Sequence, residues 1–432
     1  MNSQNISVGD LSLRIPDEVA ALLPALQLRE PNTARLKALS NQGWSKLLEF
    51  CDLAHLTLTL AQLPSDGFPD WVVERLNTNL IDNIQRFKRV KATYKEAAEA
   101  LSAVRIEHVV IKGFTQCPDY VELPGFRMQS DLDLYCPAEM IEPARTALET
   151  LGYILDKGTA SKRTDHTAAL IRQGEWTWTG NHYDPEMPLS IELHFCLWNE
   201  ATALFSAPGA DNFWERRTTR SIEDFSFPCL SPVDHLGYLA LHILRNILSR
   251  DWVIHHVREL AFFLHTHAND DAFWAAWSET HNASLRSLEA IAFYYARAWF
   301  NCDIHRQIQK EIANISPAQR QWLRRFVGSA FEVMFHQNKD SVWLHLSLLK
   351  SSKAKRTLFR RFFVPSTISS VTTPGMGVQN RRSRLSGKLH PYVQYFAYLT
   401  FRCTSYSYVN LAAILRGLIW RLSRYLEQER HA

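Results

Sequence analysis

The residues best suited to chemistry are two aspartates in the segment SDLDLYC, where Asp131 and Asp133 are separated by a single leucine. On a strand, side chains at i and i+2 project from the same face. Mg²⁺ takes hard oxygen ligands in near-octahedral geometry, commonly one or two carboxylates with phosphate oxygens and water, so a same-face Asp-x-Asp pair suits it. Such pairs also arise by chance on solvent-facing strands, and alone the signal is weak. A third acid, Glu192, stands in LSIELHF, whose alternation sets Glu192 and His194 on one face and Ile191, Leu193 and Phe195 on the other. If the two strands are neighbours, three carboxylates meet and repel one another unless divalent cations neutralise them. A salt bridge from Glu192 to a Lys or Arg across the sheet is the plain alternative.

Groups that could meet phosphate lie close by in the chain. Lys112 and Gly113 end the run VVIKGF, where an ammonium can reach a phosphate and glycine lets the backbone approach closely. Arg127, four residues before Asp131, has a planar fork suited to bidentate contact with phosphate oxygens. A Lys-Gly pair at a strand end is also very often only a turn. The chain has 17 histidines, but metal ligation needs two or three to converge. His235 and His242 are two helical turns apart, too far for one ion on a single helix, and His255 and His256 point in different directions. With His265 and His267 they read as core or surface residues, leaving His194 and His166, both on predicted strands, as candidate site residues. The aromatic run WTWTGNHY reads as a hairpin, packed or base-stacking.

The elements that must position these side chains form one α/β segment between helical ones. Residues 18–104 show apolar spacing of three and four in LRIPDEVAALLPALQL, SNQGWSKLLEFCDLAHLTLTLAQL and the long run from PDWVVERL to ALSAV. From residue 105 the pattern becomes short β-rich runs, EHVVIKG, SDLDLYC, HTAALIR and LSIELHF, with the helical stretch PAEMIEPARTALETLGY after the second. Helical periodicity then resumes, with Pro232 and Pro317 just inside two predicted starts. The expected divisions are a helical region over 1–104, an α/β core over 105–198, a helical domain over 199–350, and a basic segment over 351–432. That last segment holds a loop rich in Ser, Thr, Pro and Gly and ends in YVNLAAILRGLIWRLSRYLEQER, which reads as a basic amphipathic helix.

Composition bounds the rest. Hydrophobic residues are 46% and charged residues 21% of 432 positions, normal for a globular chain of two or three domains. No apolar run approaches the roughly 20 residues that cross a bilayer, and the N-terminus lacks a signal-peptide pattern, so a cytoplasmic protein is expected. Seven scattered cysteines without a CxxC pair suggest reduced thiols rather than a zinc site or disulfide framework. The net charge of +4 hides an asymmetry, because residues 351–432 carry 14 Lys and Arg against Glu427 and Glu429. Such a segment suits phosphate, an anionic membrane surface or an acidic partner, or is simply a solvated helical face.

Taken as a set, IKGFTQCPDYVELPGFRMQSDLDLYC, the unit ending in LETLGY, and IELHF resemble the uncharacterised nucleotidyltransferase family of the polymerase beta-like superfamily. The likeness spans roughly residues 100–265, including SPVDHLGYLALHIL and the Arg-Glu of VRELAFFL. It implies an α+β fold with a small mixed-sheet nucleotidyltransferase core, flanked by N-terminal and C-terminal helical regions. It further implies that Asp131 and Asp133 bind metal and that Glu192 is the third acid, ligand or general base. Lys112 and Gly113 stand where the wider superfamily has Gly-Ser, so Lys112, with Arg127, would meet the triphosphate by charge. The implied reaction is attack by an acceptor on the α-phosphate of a nucleoside triphosphate, ATP being expected first. Mg²⁺, or Mn²⁺ in its place, is the expected cofactor, and Asp131→Ala or Asp133→Ala should abolish transfer. A small molecule or a peptide is the expected acceptor. The alternatives are a nucleic-acid-directed transferase, supported by Arg381, Arg382, Arg384 and Lys388, and a nucleotide sensor that binds without transfer.

Overall fold

The structure, a computed structural model, describes residues 13–156, 165–363, 404 and 407–422. It divides into two compact units. The first is built mainly from Pro16–Arg245 and Val253–Ile315, the second from Leu11–Ile15, Asn246–Trp252 and Ser316–Ala432. The expected loop over 365–387, with Arg381, Arg382, Arg384 and Lys388, lies outside the described residues, as does the end of the last expected helix beyond residue 422.

The first unit is organised by a seven-stranded mixed sheet. Its strands are β1 (Val109–Val110), β2 (Asp131–Tyr135), β3 (Tyr153–Leu155), β4 (Leu170–Arg172), β5 (Ser190–His194), β6 (Thr218–Ile222) and β7 (Phe225–Cys229), in the order β3-β4-β5-β2-β1-β7-β6. β2 and β5 run parallel at the centre, with Asp131 beside Ser190, Asp133 beside Glu192 and Tyr135 beside His194. Leu132, Leu134, Ile191 and Leu193 point the other way into a core shared with Phe114, Phe225 and Phe227. The alternation read from the sequence therefore divides each central strand into an apolar face and a chemical one.

Helix α1 (Asn41–Leu53) starts where Ser40 accepts a hydrogen bond from the Gly43 amide. Helix α2 (Asp70–Ala103) is 34 residues long, about 50 Å at 1.5 Å per residue. Its buried positions, Val72, Leu76, Asn79, Asn83, Arg86, Phe87, Val90, Tyr94, Ala97 and Leu101, recur every three or four residues, with Arg86 and Phe87 adjacent, and form one continuous stripe. Helices α3 (Ile141–Glu149), α4 (Pro232–Ser249), α5 (Ile254–Thr266) and α6 (Ala283–Phe300) follow, and α4 begins at Pro232 as expected. In the second unit Ser316 and Gln319 form a reciprocal capping box on Pro317–Phe326. Helices α7 (Ser352–Phe363) and α8 (residues 407–422) close the described chain.

Three local expectations change. β6 and β7 form a hairpin within a stretch read as helical, and β3 adds an edge strand; both are short runs that periodicity resolves poorly. HTAALIR becomes a strand only at Leu170, and His166 makes an isolated bridge to His194. WTWTGNHY forms no strand. The Asp184 carboxylate instead gathers it as a loop, accepting from Trp176 Nε1, Thr179 Oγ1 and the Glu186 amide, a local bonding pattern that competes with strand pairing.

Candidate metal and nucleotide site

Parallel pairing of β2 with β5 brings three acids together from positions about 60 residues apart in sequence. One carboxylate oxygen each from Asp131, Asp133 and Glu192 lies within 4.8 Å of the others, and an overlapping group is formed by His166, Glu192 and His194. Asp133 Oδ1 accepts two hydrogen bonds, from Lys112 Nζ at 2.5 Å and His194 Nε2 at 2.8 Å. His166 Nδ1 lies 2.8 Å from the Thr167 carbonyl oxygen and 3.3 Å from Glu192 Oε2. Both neighbours are acceptors, so Nδ1 carries the proton.

The two aspartates differ in their electrostatics. Burial alone would raise the Asp133 carboxyl, but the Lys112 ammonium and the His194 hydrogen bond outweigh it and hold the group well below the usual carboxylate range. Asp131 is pushed up to about 7 by burial, then by repulsion from Asp133, with Glu192 adding to it against the opposing pull of Lys112 and Arg127. No ion pair engages the Asp131 side chain among the described residues. A cluster of oxygen ligands on one face, with one carboxyl raised by burial and by its like-charged neighbours, suits a divalent cation.

The backbone around the cluster is fixed from α2 and from the turn before β2. Asn83 Nδ2 donates to the carbonyl oxygens of Gly125 and Arg127, and the buried Arg86 guanidinium donates to those of Gln129, Asp184 and Met187. Both connections entering β2 and β5 thus hang from one helix. Gln129 Nε2 donates to the Asp131 carbonyl at 2.7 Å. Gly113 has φ +71°, and a Cβ there would come 2.2 Å from Gln129 Nε2, so glycine is required by both conformation and space.

Lys112, Asp131, Asp133, Glu192, His194 and His166 all converge on this face. Arg127 is placed differently: its Nε donates to Glu259 Oε1 at 2.7 Å, on the wall of a cavity of about 60 Å³ that is also lined by His55, Tyr120, His255 and Arg258. Burial keeps His55 and His255 neutral, the first lowered to about 4 and the second well below the usual imidazole range. His235, His242 and His256 are buried, in keeping with their reading as core residues. Two neighbours of the site went unread in the sequence. Asp165 approaches His194 Nδ1 at 4.0 Å and forms an ion pair with Arg245. They are 80 residues apart, one before β4 and one within α4, and no spacing rule links them.

Residues 40–301 match the model of a protein family described as uncharacterised nucleotidyltransferase. No curated protein and no solved structure matches the chain.

Proposed function

We propose, from the premise that this chain belongs to the uncharacterised nucleotidyltransferase family, that it transfers a nucleoside monophosphate from a nucleoside triphosphate to a small-molecule or peptide acceptor, with Mg²⁺ as the metal and ATP as the first nucleotide to test. The observation that carries the reading is the in-register approach of Asp133 and Glu192 on parallel strands, which gathers three carboxylates on the face opposite the core. Asp131, Asp133 and Glu192 would hold the cation. When bound, it supplies charge neutralisation at the phosphate oxygens and orients the reacting groups.

The remaining roles fall to side chains. The acceptor oxygen or nitrogen attacks the α-phosphorus, a new bond forms to it, the bond to the bridging oxygen breaks, and pyrophosphate leaves. Glu192 takes the acceptor's proton, and His166, 3.3 Å away, orients that carboxylate. Lys112 offsets negative charge on the departing pyrophosphate, a contribution that grows in a water-poor cleft. His194 holds Asp133 in place.

The test is pyrophosphate release from each ribonucleoside triphosphate with Mg²⁺, in the presence of small-molecule extract and peptide pools. Wild type is compared with Asp133→Asn and Glu192→Gln. Release that requires the acceptor pool and is lost in both variants is the expected result. Mg²⁺-dependent nucleotide binding with no release under any condition would replace the transferase reading with that of a sensor.

A further inference from the structure

Among the described residues, helix α8 is apolar on two opposite faces, of which one packs against its own unit and the other is exposed. At 100° per residue, Val409, Ala413, Gly417 and Trp420 form an inner stripe, and Val409, Ala413 and Trp420 are buried. Trp343 Nε1 donates to the Ala413 carbonyl at 2.8 Å, and a Cβ at Gly417 would come within 2.1 Å of the Trp343 ring. Arg416 is bonded to Asp340 at 2.6 Å. This face is fixed to its own unit. Tyr408, Leu411, Leu415, Leu418, Ile419 and Leu422 fall within an opposing arc of about 100° and are 46% to 69% exposed. A surface helix ordinarily gives that side to charged and polar residues.

Charge indicates what covers the stripe. From Ser341 to Leu426 the sequence holds 14 Lys and Arg and no Asp or Glu. On α7, Lys353, Lys355, Arg356, Arg360 and Arg361 are all exposed, and Phe359 stands among them at 42% exposure. The two helices are joined by the Lys339 ammonium, which donates to the Phe362 carbonyl at the end of α7 and, at 2.7 Å, to Asn410 Oδ1 near the start of α8. A basic helix therefore adjoins an exposed leucine face. No described helix is long and apolar enough to cross a membrane. A nucleic acid would use the cations but gain nothing from a row of leucines.

We infer that α7 and α8 form a peripheral membrane-docking surface, with the outer face of α8 entering the headgroup and acyl boundary of an anionic bilayer while the α7 cations bind its headgroups. Both halves of the pattern match such an interface, where apolar burial and attraction to anionic lipid add. Tyr408 sits at the end of the stripe, a residue type favoured at the membrane surface.

Co-sedimentation of the full chain with vesicles tests this. Pure phosphatidylcholine vesicles are compared with mixtures containing phosphatidylserine, at low and high salt. Wild type should bind the phosphatidylserine vesicles at low salt at least about tenfold more tightly than the neutral ones, and high salt should weaken the binding. Leu411→Ser/Leu415→Ser/Leu418→Ser, which leaves the inner face untouched, should lose about tenfold or more of that affinity. Lys353→Gln/Arg356→Gln/Arg360→Gln should lose the preference for phosphatidylserine. Unfolding curves matching wild type confirm that the variants fold. Equal binding to both lipids, wild-type binding by the leucine variant, or no binding at all would overturn the inference. So would a wild-type dimer by light scattering that the leucine variant dissociates without any vesicle binding, since the occupant would then be a second copy.

Discussion

Replacing Asp131 by asparagine should make the metal-free protein more stable and unable to bind a divalent cation. The Asp131 carboxyl is pushed from an ordinary 3.8 to about 7. A folded-state pKa above the unfolded value means that ionisation opposes folding. The cost is absent below about pH 4, grows as the pH rises, and is complete above about 7. Three units at ~1.36 kcal/mol each give an upper bound of about 4 kcal/mol; partial solvent contact of the side chain brings the expected gain for Asp131→Asn at pH 8 to about 2–3 kcal/mol. Urea unfolding in EDTA at pH 5 and pH 8 measures it, and the advantage of the variant should be larger at pH 8. Saturating Mg²⁺ or Mn²⁺ should then reverse the order. A ligand at about 1,000 times its Kd stabilises by about 4.1 kcal/mol, more than the advantage of the variant, and wild type should gain it while the asparagine variant does not. If the variant is no more stable in EDTA, and both proteins respond equally to the cation, the three carboxylates are not the metal site and the argument from their repulsion fails.

Two further outcomes test the scaffold around the site. His281 is fully buried between Asp234, at 3.2 Å, and Glu289, at 2.7 Å; burial disfavours its charged form, but the two carboxylates prevail and raise it to about 9. Its contribution to stability is therefore fully present below pH 6.5 and lost as the pH rises through 9, a fall of about 3 kcal/mol, and a flat profile of unfolding free energy over that window would refute the ion-pair reading. Gly113→Ala should destabilise by about 2 kcal/mol or more, combining left-handed strain with displacement of Gln129 and weakening cation binding through Asp131. A change within about 0.5 kcal/mol would show that the turn is less constrained than its φ of +71° indicates.

The architecture places stability and chemistry on opposite faces of the same two strands. Leu132, Leu134, Ile191 and Leu193 fill the core, so substitutions there act through packing. Asp133 and Glu192 face the site and can be exchanged for their amides without opening a cavity. The electrostatic cost carried by Asp131 is the kind a functional site retains against stability.

The sequence alone determined which residues could meet, because strand alternation fixes the face of each side chain before any partner is known. Asp131 with Asp133, and Glu192 with His194, were legible from the period of two. Helices such as Asp70–Ala103 were legible from the three-and-four spacing of their buried stripe, and Gly113 from the close backbone approach that a glycine permits. Tertiary structure alone decided that β5 lies parallel to β2 with Glu192 beside Asp133. It also turned Arg127 toward Glu259, drew Asp165 and Arg245 to the edge of the site, and made an irregular loop of WTWTGNHY. Pairing partners across long separations depend on how elements pack, and that information is not carried by local period or propensity. The same holds for α8, whose two apolar faces could be told apart only when Trp343 covered one of them.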